Sequence, residues 1–206
     1  MYMAQPSYAP LANYPIPIVG PQFCAPYPVD LSIMRRVWTL SIGNFVVSDV
    51  NGNLVFKVKG SLVSLHDHRV LLDSFGNPLV TLRRQILSAH NRWQVFRGES
   101  SDLKDLLFTA KTSSVIQLKT TLNVFLAHNT REEVCDFKVK GSWTDRSCVI
   151  YAGESSNVVA QMHMNDLTFK SVFTGKDKFT VTVYPHVDHA FIVALIVILD
   201  EIAEEK

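Results

Sequence analysis

Ala190-Phe-Ile-Val-Ala-Leu-Ile-Val-Ile-Leu199 has no polar side chain, and it is bounded by Asp188-His189 before it and Asp200-Glu201 after it. As a helix rising 1.5 Å per residue the run spans about 15 Å, half of the roughly 30 Å of a bilayer core. As a strand it would span about 33 Å, long for a chain of this size. Ile and Val favour strands, but Asp188 is a suitable N-cap and Glu201 to Lys206 continues in helix-forming residues. A helix that is apolar on every side must be buried on every side. The run therefore predicts a central helix over about 188–203, with Phe191, Ile192, Leu195, Ile196, Ile198 and Leu199 at its core contacts. The rest of the chain becomes its wrapper.

That wrapper reads as strands and turns from Val37 to Tyr184, with no convincing helix. Leu54 to Lys59 alternates apolar and charged residues. Pro78–Leu82, Trp93–Phe96, Val115–Leu122, Cys148–Tyr151 and Phe179–Tyr184 are β-branched or aromatic runs. Turn signals separate them at Asn51-Gly52, Gly76-Asn77-Pro78, Gly98, Gly153 and Gly175. Phe56-Lys-Val-Lys-Gly60 recurs as Phe137-Lys-Val-Lys-Gly141, and both copies are followed by a strand, an Asn turn (Asn77, Asn157) and another strand. The shared order points to two duplicated halves. Twelve strands spaced about 4.8 Å apart and tilted about 40° close at a radius of roughly 12 Å, enough for a helix packed about 10 Å from a sheet. Eight strands would be too tight. The expected fold is mainly β, a twelve-stranded closed barrel around the C-terminal helix.

The chain has 206 residues, 47% hydrophobic and 19% charged, which suits a single barrel domain over 23–206. Seven of the nine prolines fall in the first 28 residues, so residues 1–22 read as a disordered Pro/Tyr-rich arm. The net charge of +1 gives no global field for nucleic acid. Three scattered cysteines, Cys24, Cys135 and Cys148, make no disulfide framework, and Met1-Tyr-Met-Ala-Gln-Pro6 lacks the basic and apolar regions of a signal peptide. The expectation is an intracellular setting: cytoplasmic, plasma-membrane-associated or nuclear.

Ser88-Ala-His-Asn-Arg-Trp-Gln-Val-Phe-Arg-Gly98, Cys135-Asp-Phe-Lys-Val-Lys-Gly-Ser-Trp143, Tyr151-Ala-Gly-Glu154 and the closing apolar run resemble the plant LURP-one-related proteins over about residues 23–203. The resemblance implies a fold shared with the Tubby C-terminal domain and the phospholipid scramblases, an antiparallel barrel around a hydrophobic helix. It also implies a plant protein, and some members of that family are linked to pathogen defence. Analogy with the structural relatives suggests a membrane-tethered regulator. The chain departs from the scramblases in lacking a cysteine cluster, a calcium loop and a full-length span, so lipid scrambling is not expected.

The chemistry-bearing motifs are few. His66-Asp67-His68 could put two imidazoles on one face of a strand, but no third metal ligand is identifiable. His186 and His189 flank Asp188 and should sit at the barrel mouth. Cys135 and Cys148 could face one another across a strand pair. There is no Gly-x-Ser-x-Gly, His-Glu-x-x-His, phosphate-binding glycine loop or EF-hand. With a helix filling the interior, the expectation is a non-enzyme without cofactor or metal. The basic residues are more suggestive. Alternation points Lys57, Lys59, Lys138 and Lys140 outward, and Arg83 and Arg84 join them, with Arg35-Arg36, Arg69 and Lys119 adding basic surface. As the Tubby resemblance suggests, these six are candidate contacts for a phosphoinositide headgroup at a membrane surface. The alternative is a protein-interaction scaffold working through the loops and the arm. If the two Phe-Lys-Val-Lys copies occupy equivalent places in the two halves, they fall on opposite sides of the barrel.

Overall fold

A computed structural model describes residues 15–36, 44–60, 68–85, 92–116, 119–142, 147–163 and 178–204. The strands of the first half are β1 (Val29–Arg36), β2 (Asn44–Ser48), β3 (Leu54–Gly60), β4 (His68–Asp73), β5 (Pro78–Gln85) and β6 (Arg92–Arg97). Those of the second half are β7 (Leu106–Ile116), β8 (Lys119–Leu126), β9 (Phe137–Ser142), β10 (Ser147–Ala152), β11 (Val158–His163) and β12 (Lys178–Val183). Every strand pairs antiparallel with its neighbours in the chain, and β1 pairs with β12 to close the barrel. Closure leaves no unpaired edge to be capped or charged. The turn glycines have the conformation their positions require: Gly52, Gly76, Gly98 and Gly153 all have positive φ.

The helix α1 (His189–Glu204) runs through the interior. From Ala190 to Leu199 no side chain is more than 5% exposed. The strands meet it with their inward positions: Phe45, Phe56, Val58, Leu71, Leu82, Trp93, Phe108, Leu122, Val139, Ile150 and Phe179 are all fully buried. Phe191 packs edge-on to Phe108 at 5.0 Å and tilted against Phe137 at 4.9 Å, tying both the seventh and ninth strands to one helical position. Gly141 lets β9 and β10 approach closely, since a Cβ there would lie 2.3 Å from the Ser147 carbonyl and 2.4 Å from Cys148 Cα.

One sequence reading needs correction. Val115–Leu122 is not one strand: β7 ends at Ile116 and β8 begins at Lys119. The reversal falls in a run of good strand formers without glycine or proline, so no turn signal marks it. Of the stretch read as an arm, 1–22, only residues 15–22 are described. Residues 15–24 lie against the helix entrance, where Ile18, Val19 and Gly20 are buried and Ile16 and Cys24 bridge to Val187 and Asp188. Residues 1–14 lie outside the described residues. No helix among the described residues is long and apolar enough to cross a membrane.

Candidate functional site

The repeated Phe-Lys-Val-Lys-Gly falls on β3 and β9, the third strand of each half and six strands apart in the closed barrel. The pairing is the same in both places: Lys57 lies opposite Leu72 and Gly60 opposite Arg69, as Lys138 lies opposite Tyr151 and Gly141 opposite Cys148. Lys57/Lys59 and Lys138/Lys140 are therefore on opposite walls, and the six candidate basic residues do not make one patch.

The first wall carries free charge. Lys59 is exposed and Lys57 half-buried on the outer face of β3. Two strands on, about 10 Å away at ordinary strand spacing, Arg83 is exposed on the outer face of β5 and lies opposite His68 of β4. Among the described residues, none of Lys57, Lys59 and Arg83 has a carboxylate within ion-pair distance. Burial lowers the proton affinity of His68, and the charges of Arg83 and Arg69 lower it further, against the opposing charge of Glu99. Beside Arg83 a surface hollow of about 560 Å³ is lined by Gln85, Gln94 and Ser101, with Phe96 and Leu103 as apolar walls. Phe96 is buried although it lies on the outward alternation of β6, one residue from the inward Val95. The connection from β6 to β7 holds its own shape through a 3-10 turn at Leu103–Asp105, capped by Asp102 accepting from the Lys104 amide and tied by Ser100 Oγ donating to Asp105 at 2.6 Å.

Strands β6 to β9, which run from beside β5 round to the opposite wall, carry Arg92, Lys111, Lys138 and Lys140, and three of these are paired with carboxylates. Arg92, Lys111, Asn123 and Lys138 form a cross-strand row from β6 to β9. Glu132 reaches back from the β8–β9 connection to Arg92 (2.6 Å) and to Lys111. Glu154, from the β10–β11 turn, takes Lys138. Lys140 remains exposed, with its ammonium 5.6 Å from the centre of the Tyr151 ring. The two carboxylates were not foreseen, because each lies on a loop and reaches its partner only when the loop folds back. Glu132 does so from a left-handed backbone conformation, φ 54°.

One further basic residue is not surface. Arg69 points into the barrel, 2% exposed, and binds Glu201 of the helix. Arg84 is half-buried and, with Arg83, lines the hollow on β5. The side chains of Arg35, Arg36 and Lys119 lie outside the described residues.

At the helix entrance, Asp188 is completely buried. Its Oδ2 accepts from the amides of Ile18, Val19 and Gly20 at 3.0, 2.7 and 3.0 Å, and its Oδ1 caps the helix by accepting from Phe191 at 3.0 Å. His189 sits between the rings of Phe23 and Phe56, and burial lowers its proton affinity against the opposing pull of Asp188. This constellation closes the mouth of the barrel around the start of the helix. His66 lies outside the described residues; among the described residues no cluster of metal-ligating side chains occurs. Cys135 and Cys148 do not face one another: Cys148 points inward opposite Gly141, while Cys135 precedes β9 and donates to Glu154. Burial pushes the Cys148 thiol up to about 12 and Cys135 to about 11, far from a nucleophilic thiolate at neutral pH.

Residues 29–200 match the family model described as LURP-one-related. Protein LURP-one-related 15 of Arabidopsis thaliana is 59% identical over 97% of this chain and 92% of its own length. Protein LURP1 of the same plant is 52% identical over 91% of this chain and 90% of its own. The X-ray structure of an Arabidopsis thaliana protein, 54% identical, superposes with a TM-score of 0.72 over 90% of this chain and 97% of that one, and has the same fold.

Proposed function

The chain belongs to the LURP-one-related family, and from that premise we propose that it is a non-enzymatic, membrane-tethered regulator in plant defence that holds an anionic headgroup of the phosphoinositide class on the outer wall of β3–β5. One observation carries this reading. The barrel has cations on two opposite walls, and only the β3–β5 wall presents three of them, Lys57, Lys59 and Arg83, without a carboxylate partner among the described residues. Cations left uncompensated by the protein are available to a phosphorylated ligand. Each Lys or Arg near an anionic membrane contributes about 1 kcal/mol, so three give a weak, reversible and salt-sensitive tether of roughly a hundredfold. The non-enzymatic part of the reading is supported by an interior filled with helix and by thiols held protonated.

Co-sedimentation with phosphatidylcholine vesicles, with and without a phosphatidylinositol bisphosphate, tests the reading. The expected result is retention by the phosphoinositide vesicles alone, weakening as salt is raised. Equal partition onto both kinds of vesicle contradicts it.

A further inference from the structure

Among the described residues, the large apolar side chains that stand in solvent include Phe75 at 91% exposure, Val50 at 75% and Leu103 at 71%. They occupy the β4–β5, β2–β3 and β6–β7 connections, all at the barrel end where the helix enters. These three connections bracket strands β3 to β6, which include the wall that carries Lys57, Lys59 and Arg83.

None of the three tips owes its exposure to a loose loop. The two hairpin turns are built alike. Asp49 donates its amide to the Asn53 carbonyl at 2.9 Å, and Asp73 does the same to Asn77 at 2.9 Å. The Asp49 carboxylate accepts from the Asn53 amide and side chain at 2.8 and 2.9 Å, and Asp73 accepts from those of Asn77 at 2.8 and 2.9 Å. A positive-φ glycine completes each turn. Backbone and polar side chains thus brace the turns without help from Val50 or Phe75. The β6–β7 connection is braced in its own way by Ser100, Asp102 and Asp105. Rigid presentation lets an apolar tip bind without first losing conformational entropy.

We propose that Val50, Phe75 and Leu103 enter the interfacial layer of a lipid bilayer while Lys57, Lys59 and Arg83 engage its anionic headgroups. The proposal rests on the headgroup reading and adds the surface that surrounds it. Peripheral binding strengthens with buried apolar area and with attraction to anionic lipid, and this sector of the barrel has both. Successive tips are two strands apart, about 10 Å at ordinary strand spacing; Lys57 lies about 10 Å, and Lys59 and Arg83 about 17 Å, up their strands from the ends that carry the tips. Asp49 and Asp73 lie at the bases of two tips, where their turn hydrogen bonds favour the ionised form, and Asp102 and Asp105 flank Leu103 at the third. Carboxylates resist entering hydrocarbon, so insertion stops at the tips.

The test compares the full chain with a Val50→Ser/Phe75→Ser variant, which spares Leu103 because it walls the hollow beside Arg83, against two probes: vesicles containing phosphatidylinositol bisphosphate, and water-soluble inositol trisphosphate. An unchanged urea midpoint establishes that the variant is folded, as expected for two exposed positions. The proposal expects equal affinity for the soluble headgroup and at least about tenfold weaker vesicle binding. Unchanged vesicle binding by the variant overturns insertion while leaving the headgroup reading in place. Vesicle binding that ignores the phosphoinositide but is lost in the variant supports insertion and removes the headgroup reading. If the wild-type chain binds neither probe, both fail.

Discussion

Arg69 of β4 and Glu201 near the end of α1 meet side by side inside the barrel, with Nε donating to Oε1 at 2.6 Å and Nη2 to Oε2 at 2.9 Å. Both side chains are almost wholly buried. The helix between Ala190 and Leu199 is a smooth apolar cylinder, free in principle to slide or rotate among apolar neighbours. A directional pair at one end and the Asp188 cap at the other fix its register. Glu201→Gln leaves a buried guanidinium without its counter-charge and should cost about 3–5 kcal/mol, whereas Arg69→Met/Glu201→Met should recover most of that loss. Urea unfolding of the two variants measures the difference. A double variant as unstable as the single one would contradict the account.

Asp188 holds the N-terminal segment by one oxygen and the helix by the other. Asp188→Asn replaces one acceptor with a donor and weakens the remaining charge-assisted bonds. Losing several of these should destabilise the chain by about 2–4 kcal/mol. The segment should also detach before the barrel opens. Limited proteolysis should therefore cleave the variant between residues 15 and 28 under conditions where the wild-type chain is intact there. Cleavage first within the barrel strands would argue against the segment's dependence on Asp188.

His189 gives a pH dependence whose sign follows from its environment. Its folded-state proton affinity is lowered, first by burial. Below about pH 6.5 the unfolded chain binds the proton before the folded one, so stability is complete above that value and falls as the pH drops. His68 shifts in the same direction. The lowered carboxylates Asp49, Asp73 and Glu154 act in a separate, more acidic window, their contribution being lost only as the pH falls through their folded-state values. Between about pH 7.5 and 5.5 the unfolding free energy from urea titration should therefore decline, by no more than about 1.4 kcal/mol per pH unit for each histidine, and His189→Gln should flatten the decline. An unfolding free energy that rises on acidification would show that His189 is stabilised in its charged form.

Glu132 does two opposed things. Its carboxylate joins Arg92 and Lys111, while its backbone adopts a φ of 54° that side chains disfavour. Glu132→Ala loses the carboxylate and keeps the strain. Glu132→Gly loses the carboxylate and relieves the strain. The glycine variant should be the more stable of the two by up to about 1 kcal/mol. Thermal unfolding of the pair compares them directly, and an alanine variant as stable as the glycine one would mean that the conformation carries no cost.

The central helix was legible because ten apolar residues between acidic ends admit few other placements, and the turn glycines were legible because positive φ leaves few alternatives. Arg69 was misread as surface although a signal was present. Arg69 has the parity of Leu71, so alternation pointed it inward. Charge outweighed parity in the reading, and the compensating carboxylate, Glu201, lies 132 residues away from Arg69. The anchoring of residues 15–24 was hidden for a related reason: its hydrogen bonds run to Asp188, about 170 positions along the chain. The repeated Lys pairs could be placed on opposite walls from the duplicated order alone. Which wall stays charged depended on Glu132 and Glu154, whose reach is a property of folded loops.

That contrast between the walls gives the most direct test of the functional account. Binding to phosphatidylinositol bisphosphate vesicles should be measured for two folded variants, Lys57→Gln/Lys59→Gln/Arg83→Gln and Lys138→Gln/Lys140→Gln. The account predicts that the first loses about a hundredfold in affinity and the second retains nearly all of it. Equal losses, or a loss confined to the second variant, would contradict it.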